Sequence, residues 1–187
     1  MSDLDQVIQR LPPGSVEPAQ TRDGMPTVYV ALERLAEVCL ALRDDPALGF
    51  SVLVDALPLD LYPREPRFEI TYLLLNPGTG AAGSARRLRL KVRVPGADPR
   101  VPTVSHVWIA ANWAEREAYD LFGIVVDGHP DLRRILMPDD WEGFPMRKDY
   151  PVQIKAPVKT YEPLQITEEE FVANIEAARD RAGKMIE

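Results

Sequence analysis

Apolar positions along the chain change period several times, and each change marks an element. Over residues 2–11, Leu4, Val7, Ile8 and Leu11 fall on one helical face behind Ser2 as capping residue, which predicts a short helix. Prolines and glycines between positions 12 and 26 end it. Residues 27–30 read as a short strand. Residues 31–43 read as an amphipathic helix with Leu32, Leu35, Val38, Cys39 and Leu42 on its stripe and Asp44-Asp45-Pro46 beyond its end. Strands are predicted at 50–56, 67–75 and 86–94, and 76–84 has the composition of a hairpin loop. The predicted fold class is α+β: a small mixed β-sheet with helices packed on one face, its first two strands joined by a right-handed crossover. An irregular extended C-terminal segment and a terminal helix follow.

Beyond Pro99 and Pro102 the pattern shifts. Residues 112–122 predict a helix with Asn112 as N-cap, Glu115 closing a capping box and Gly123 just past the C-terminal end. Its apolar face is Ala114, Ala118, Leu121 and Phe122. A short strand at 124–126 precedes polar turns over 128–150. Prolines 138, 145, 151, 157 and 163 then recur every six or seven residues, a spacing that suits extended chain. A helix at 168–186 closes the chain, with Thr167 as N-cap and Glu170 as its reciprocal partner. These changes divide the chain into an α+β lobe (1–103), a helix–strand–turn segment that completes the same domain (104–151) and a proline-paced tail (152–187).

Composition narrows the function. The 187 residues carry a net charge of −7, which argues against nucleic acid as a partner. The basic stretch Arg86 to Arg93 alternates charge with apolar residues, as a half-buried strand with one solvated charged face does; a basic docking surface for an acidic partner is the other reading. No apolar run approaches the roughly 18–20 residues that cross a bilayer, and the acidic N-terminus lacks the pattern of a signal or transit peptide. A cytosolic location is expected. Cys39 is the sole cysteine, so this chain has no thiolate set for an iron–sulfur cluster, and with only His106 and His129 a multi-histidine metal site is nearly excluded. Neither glycine-rich nucleotide loop is present.

The candidate chemistry lies between Asn112 and Pro151. Glu117 and Asp120 share a helical face and Arg116 stands four positions before Asp120, a spacing that predicts an ion-paired helix rather than an acid–base pair. His129, between Gly128 and Pro130, reads as a hydrogen-bonded turn residue. Arg133-Arg134 and Arg147-Lys148, together with Trp141, Phe144 and Tyr150, have the composition of a protein–protein anchor zone. A compact loop that satisfies its own charges is the equal alternative. A stand-alone hydrolase using Glu117 and His129 would need a nucleophile–base pair that the sequence does not display.

This segment resembles the thirty-kilodalton subunit family of the proton-pumping NADH–quinone oxidoreductase, respiratory complex I. The pattern runs Glu115-Arg116-Glu117, two free residues, Asp120, Leu121-Phe122, six free, His129, three free, Arg133, one free, Ile135, with every position filled. Residues 137–143 (MPDDWEG) and 147–151 (RKDYP) extend the likeness, and Asp44-Asp45-Pro46 with Tyr72-Leu73-Leu74 are similar to the family's N-terminal lobe. Phe144 departs from a common His and Met146 from a frequent Leu. The resemblance covers 26–151. It implies a cofactor-free core subunit in the peripheral arm, on the cytoplasmic side of the cell membrane and attached to it only through the complex. FMN, Fe–S clusters and quinone would sit in partner subunits: the D subunit of the quinone site, the Fe–S subunits B and I, and the G subunit. The residues it marks for the subunit interface are Glu115, Arg116, Glu117, Asp120, Gly123, His129, Arg133, Trp141, Arg147, Lys148, Asp149 and Tyr150, with Arg133 among those expected to fasten helix to turn. A homologous subunit of a membrane-bound hydrogenase or ferredoxin-linked complex is the second reading.

Overall fold

The computed structural model describes residues 3–78, 84–152 and 167–183. The chain divides into two compact units, Met1–Tyr150 and Pro151–Glu187.

In the first unit, helix α1 (Asp3–Arg10) buries Val7, with Leu11 just beyond it, while its predicted cap Ser2 lies outside the described residues. Strand β1 (Val16–Pro18) forms inside the segment expected to be only a break, pairing antiparallel with β2 (Thr27–Val30). A 3₁₀ turn (Leu32–Arg34) leads into α2 (Leu35–Asp44), which buries Leu35, Val38, Cys39 and Leu42, the stripe foreseen apart from a half-buried Leu32. Strands β3 (Val52–Asp60), β4 (Phe68–Asn76) and β5 (Arg86–Val94) complete a five-stranded sheet of order β1-β2-β5-β4-β3. The 76–84 connection joins antiparallel neighbours as a hairpin, although its residues 79–83 lie outside the described set.

β2 and β3 do lie parallel in one sheet, but β5 and β4 stand between them. β5, fully apolar on its inner face, takes the central place beside β2: Leu88, Leu90, Val92 and Val94 are buried. Its charged face is the outer one, with Arg89 paired to Asp23 and Lys91 to Glu69, as a solvated strand face requires.

A second, two-stranded parallel sheet joins β6 (Arg100–Pro102) to β7 (Val125–Asp127), closed by an Arg100–Asp127 ion pair. β6 has Pro99 before it and ends on Pro102, and prolines lower strand propensity without forbidding a short edge. Between these strands runs α3 (Ala111–Phe122). The turn before it is tied to the rest by the buried Trp108 indole N–H, which donates to the Phe50 carbonyl at 3.0 Å, and by Arg43, which donates to the Val107 carbonyl at 2.9 Å. One apolar core holds the inner sheet face, α1, α2 and α3 together.

In the second unit, α4 (Glu168–Gly183) has the predicted start: the Glu170 N–H donates to Thr167 Oγ1 at 3.2 Å and the Thr167 N–H to the Glu170 carboxylate at 3.1 Å. The proline-paced stretch 153–166 lies outside the described residues.

Candidate functional site

Helix α3 places most of the residues singled out above. Its end matches expectation: Gly123 takes φ +70°, its N–H donates to the Tyr119 carbonyl, and the Ile124 N–H reaches back to Ala118. This left-handed closure suits glycine. Its start differs. The helix begins at Ala111, the preceding Ala110 is already helical, and no side chain caps it. The Asn112 N–H, which Glu115 was expected to satisfy, donates instead to the Ile109 carbonyl. Glu115 is thereby released to turn inward.

There Glu115 accepts the Thr103 hydroxyl and the Val104 N–H, both at 2.6 Å. Val104 N–H would otherwise be a buried donor without a partner, a cost of about 1–3 kcal/mol, so this arrangement outcompetes the capping box. His129, its side chain fully enclosed, lies with Nε2 3.8 Å from the same carboxylate. The Asp131 N–H donates to His129 Nδ1 and Nε2 faces the Asn112 carbonyl at 3.0 Å, which puts the ring hydrogen on Nε2. Burial pushes the Glu115 carboxyl above its ordinary range, and the two hydrogen bonds only partly oppose it. Burial also raises the Cys39 thiol and the Tyr72 phenol, with the Glu115 charge adding to both.

Asp120 has the opposite surroundings. Arg134 Nη1 donates to it at 2.8 Å, and the N–H groups of Ile135, Leu136 and Met137 converge on Oδ2 at 3.0, 2.7 and 2.8 Å. Burial alone would raise this carboxyl, but the three N–H groups and the guanidinium outweigh it and hold it below the usual range. Arg134 also donates to the Trp141 and Gly143 carbonyls and lies over the Phe144 ring. The expected Arg116–Asp120 pair does not form. Arg116 donates instead to the carbonyls of Arg133 and Arg134, because Arg134 reaches Asp120 from the folded-back loop.

Further along, Arg147 donates to the Phe122 carbonyl at 2.6 Å and packs between the Phe144 and Phe68 rings. Burial and the neighbouring Arg67 depress its pKa. Phe144 fills the space beside Gly123 so closely that a Cβ there would stand 2.5 Å from its ring. Arg67 bridges Asp60 and Asp149, and Asp60 also accepts the Lys148 N–H. Burial opposes the ionised Asp60, yet Arg67 and the Lys148 and Tyr62 N–H groups hold its pKa at about 2. Tyr150 donates to the Glu142 carbonyl, and the buried Trp141 indole N–H has no partner among the described residues.

The predicted residues therefore gather into a loop clamped onto α3, whose basic pairs are largely satisfied within the chain. Glu117 is exposed. Among the described residues the side chain of Arg133, 75% exposed, pairs with Asp131 alone, and it is Arg134 that fastens the loop to α3. Thr103, Asp60, Arg67 and Arg134 were missed; for Arg134 the basic pair gave a signal, whereas nothing in the sequence joins Asp60 to Asp149. Among the described residues no group of three or more His, Cys, Asp and Glu is placed to hold a metal ion. No helix among them is long and apolar enough to cross a membrane.

Residues 28–156, which include α3 and the clamped loop, match the family described as "Respiratory-chain NADH dehydrogenase, 30 Kd subunit". A relative from Roseiflexus sp. (strain RS-1), named as the C subunit of NADH-quinone oxidoreductase, is 43% identical over 149 residues, 80% of this chain and 82% of its own length. The solved structure "Nqo5 of the trypsin-resistant fragment (1-134) in P63 form" aligns at TM-score 0.59 and 38% identity, covering 69% of this chain and 98% of that one. A chain of the membrane-bound sulfane sulfur reductase, an archaeal respiratory membrane complex, aligns at TM-score 0.65 and 22% identity over 80% of this chain and 84% of its own, a likeness of fold alone.

Proposed function

We infer the function from the family: this chain belongs to the respiratory-chain NADH dehydrogenase 30 Kd subunit family, and it works as a subunit of NADH–quinone oxidoreductase. The observation that carries this is the match across α3 and the whole clamped loop, the part of the molecule with the most specific residue pattern.

The role of the chain is positional. Asp120, Arg134 and Arg147 fix a loop that carries no regular element of its own, so that it presents one shape to neighbouring subunits. The donor chemistry does not fit a resident cluster: the single thiol is enclosed and its pKa is raised, where a thiolate ligand needs the reverse. FMN, Fe–S clusters and quinone accordingly belong to partner subunits in this reading. Those partners are the D subunit of the quinone site and the Fe–S subunits B and I, with the G subunit as a further candidate, on the cytoplasmic side of the membrane. Most of the twelve residues marked in the sequence serve the interface by shaping this loop, while Glu117 and Arg133 stand exposed.

The test is recovery of the tagged full chain from gently solubilised membranes. Co-purification of flavin- and cluster-bearing subunits with NADH–quinone activity is the expected result. Recovery of the chain alone, or with subunits of a different oxidoreductase, overturns the reading.

A further inference from the structure

Helix α3 has two stripes at helical spacing, and the clamped loop and core account for only one. Ala111, Glu115, Ala118 and Phe122 face inward. Ala110, Trp113, Ala114 and Glu117, spaced i, i+3, i+4, i+7, form a second stripe along an open cleft of about 330 Å³. Asp55 of the β3 edge and Ile135 and Leu136 of the loop complete its lining. Trp113 is 64% exposed and Leu136 63%, and Ile109 and Val54, next in sequence to the lining residues Ala110 and Asp55, are 85% and 60% exposed. Large apolar side chains left exposed beside one cleft mark an interaction site.

Its charges identify the occupant. Asp55 and Glu117 flank the apolar floor, and among the described residues neither carboxylate has a cationic partner; Asp55 accepts only the Ala56 N–H. The neighbouring cation on α3, Arg116, lies over Trp113 with its N–H groups directed at the Arg133 and Arg134 carbonyls. Strand addition at β3 is disfavoured by the irregular register between Leu53 and Asp55 and by Pro58, which offers no N–H. Recognition therefore runs through side chains. We propose that the α3–β3 cleft receives a segment of a neighbouring subunit that seats an aliphatic side chain against Trp113 and Leu136 and sets a lysine or arginine between Asp55 and Glu117. This rests on the assignment of the chain to a multisubunit oxidoreductase and adds the chemistry of one partner.

The test replaces the wild-type subunit with the tagged full chain in a host that assembles the complex. Three variants are compared with wild type: Asp55→Lys with Glu117→Lys, Trp113→Ala, and a control, Glu17→Lys with Glu33→Lys, whose Glu17 lies on β1 at the opposite edge of the sheet. The first two lower recovery of partner subunits about tenfold with melting temperatures close to wild type, while the control leaves recovery unchanged. A photo-crosslinking residue at position 113 captures a partner peptide bearing lysine or arginine. Reversing that partner residue to glutamate restores recovery with the variant that combines Asp55→Lys and Glu117→Lys. Crosslinks to a second copy of this chain or to lipid, or unchanged recovery with both cleft variants, overturn the proposal. If the charge-reversed double variant fails to fold, the crosslink in the otherwise intact chain decides. A wild-type chain that recovers no oxidoreductase subunits sinks the family role itself; normal wild-type recovery with insensitive variants sinks only the cleft.

Discussion

Glu115 and Asp120 lie on one helix and are both buried, yet their carboxyls shift in opposite directions. The upstream anchor accepts from a hydroxyl and one backbone N–H, and among the described residues its nearest side-chain nitrogen beyond these is His129 Nε2 at 3.8 Å. The downstream anchor accepts from three backbone N–H groups and a guanidinium. Burial alone would raise both, so the donor set decides the sign. The consequence is a division of labour. Glu115 joins α3 to the 103–105 turn without requiring a charge, while Asp120 holds the loop only as an anion.

The largest effect is expected from removing that anion. Asp120→Ala leaves Arg134 without its carboxylate and three N–H groups without an acceptor, a loss of about 3–5 kcal/mol for a broken buried pair. The lower end applies, because Arg134 keeps its carbonyl partners at Trp141 and Gly143. Denaturant unfolding of the full chain measures it, and amide exchange shows faster opening over 131–143. An exchange pattern unchanged in the loop would refute the clamp. Gly123→Ala acts on the same side: it strains a φ of +70° and drives a Cβ toward Phe144 and Arg147. About 1–3 kcal/mol is expected for such overpacking, and Gly123→Ala with Phe144→Leu recovers part of it.

The upstream anchor responds more gently and with a different pH dependence. Glu115→Gln retains an acceptor for Val104 and a donor for Thr103, so at neutral pH the cost stays below about 1 kcal/mol. The folded pKa of Glu115 is raised, so its contribution is fully present below the ordinary value of 4.5 and is lost as pH rises through the folded value. Asp120 is depressed, so its contribution is present above 3.8 and is lost as pH falls through the folded value. Unfolding free energies across this range therefore lose a falling limb in Glu115→Gln and keep the acid limb. Parallel curves for wild type and variant would show that Glu115 titrates as in the unfolded chain.

The two anchors also differ in how far the sequence reveals them. Strands β2 to β5, α2 and the end of α3 follow from periodicity and one glycine, because local spacing determines them. Thr167 and Glu170 form the predicted box on α4 since nothing competes for their side chains. Glu115 obeyed the same motif in sequence but not in space, because Val104, eleven positions away, offers a buried donor that only the fold brings near. The central place of β5 and the Asp60–Arg67–Asp149 bridge are likewise products of long-range pairing. Motif spacing located the residues of the loop; it did not determine their partners.

Arg133 and Arg134 put that distinction into one dipeptide and carry the smallest expected effect. Either residue satisfies the sequence reading of a basic pair, and the family-like spacing favours Arg133. The structure separates them: among the described residues the Arg133 side chain bonds to Asp131 alone, two positions away and at the surface, whereas Arg134 is mostly buried and reaches α3 and two loop carbonyls. Exposed pairs within a turn contribute little because solvent and salt screen them. Arg133→Ala is therefore expected to unfold indistinguishably from wild type, while Arg134→Ala loses stability as Asp120→Ala does. Combining Arg134→Ala with Asp120→Ala adds little further loss, since both remove the same clamp. If Arg133→Ala nevertheless depletes assembled complex, its guanidinium acts across a subunit boundary rather than in the fold, and the anchor-zone reading of this segment gains its first outward-facing residue.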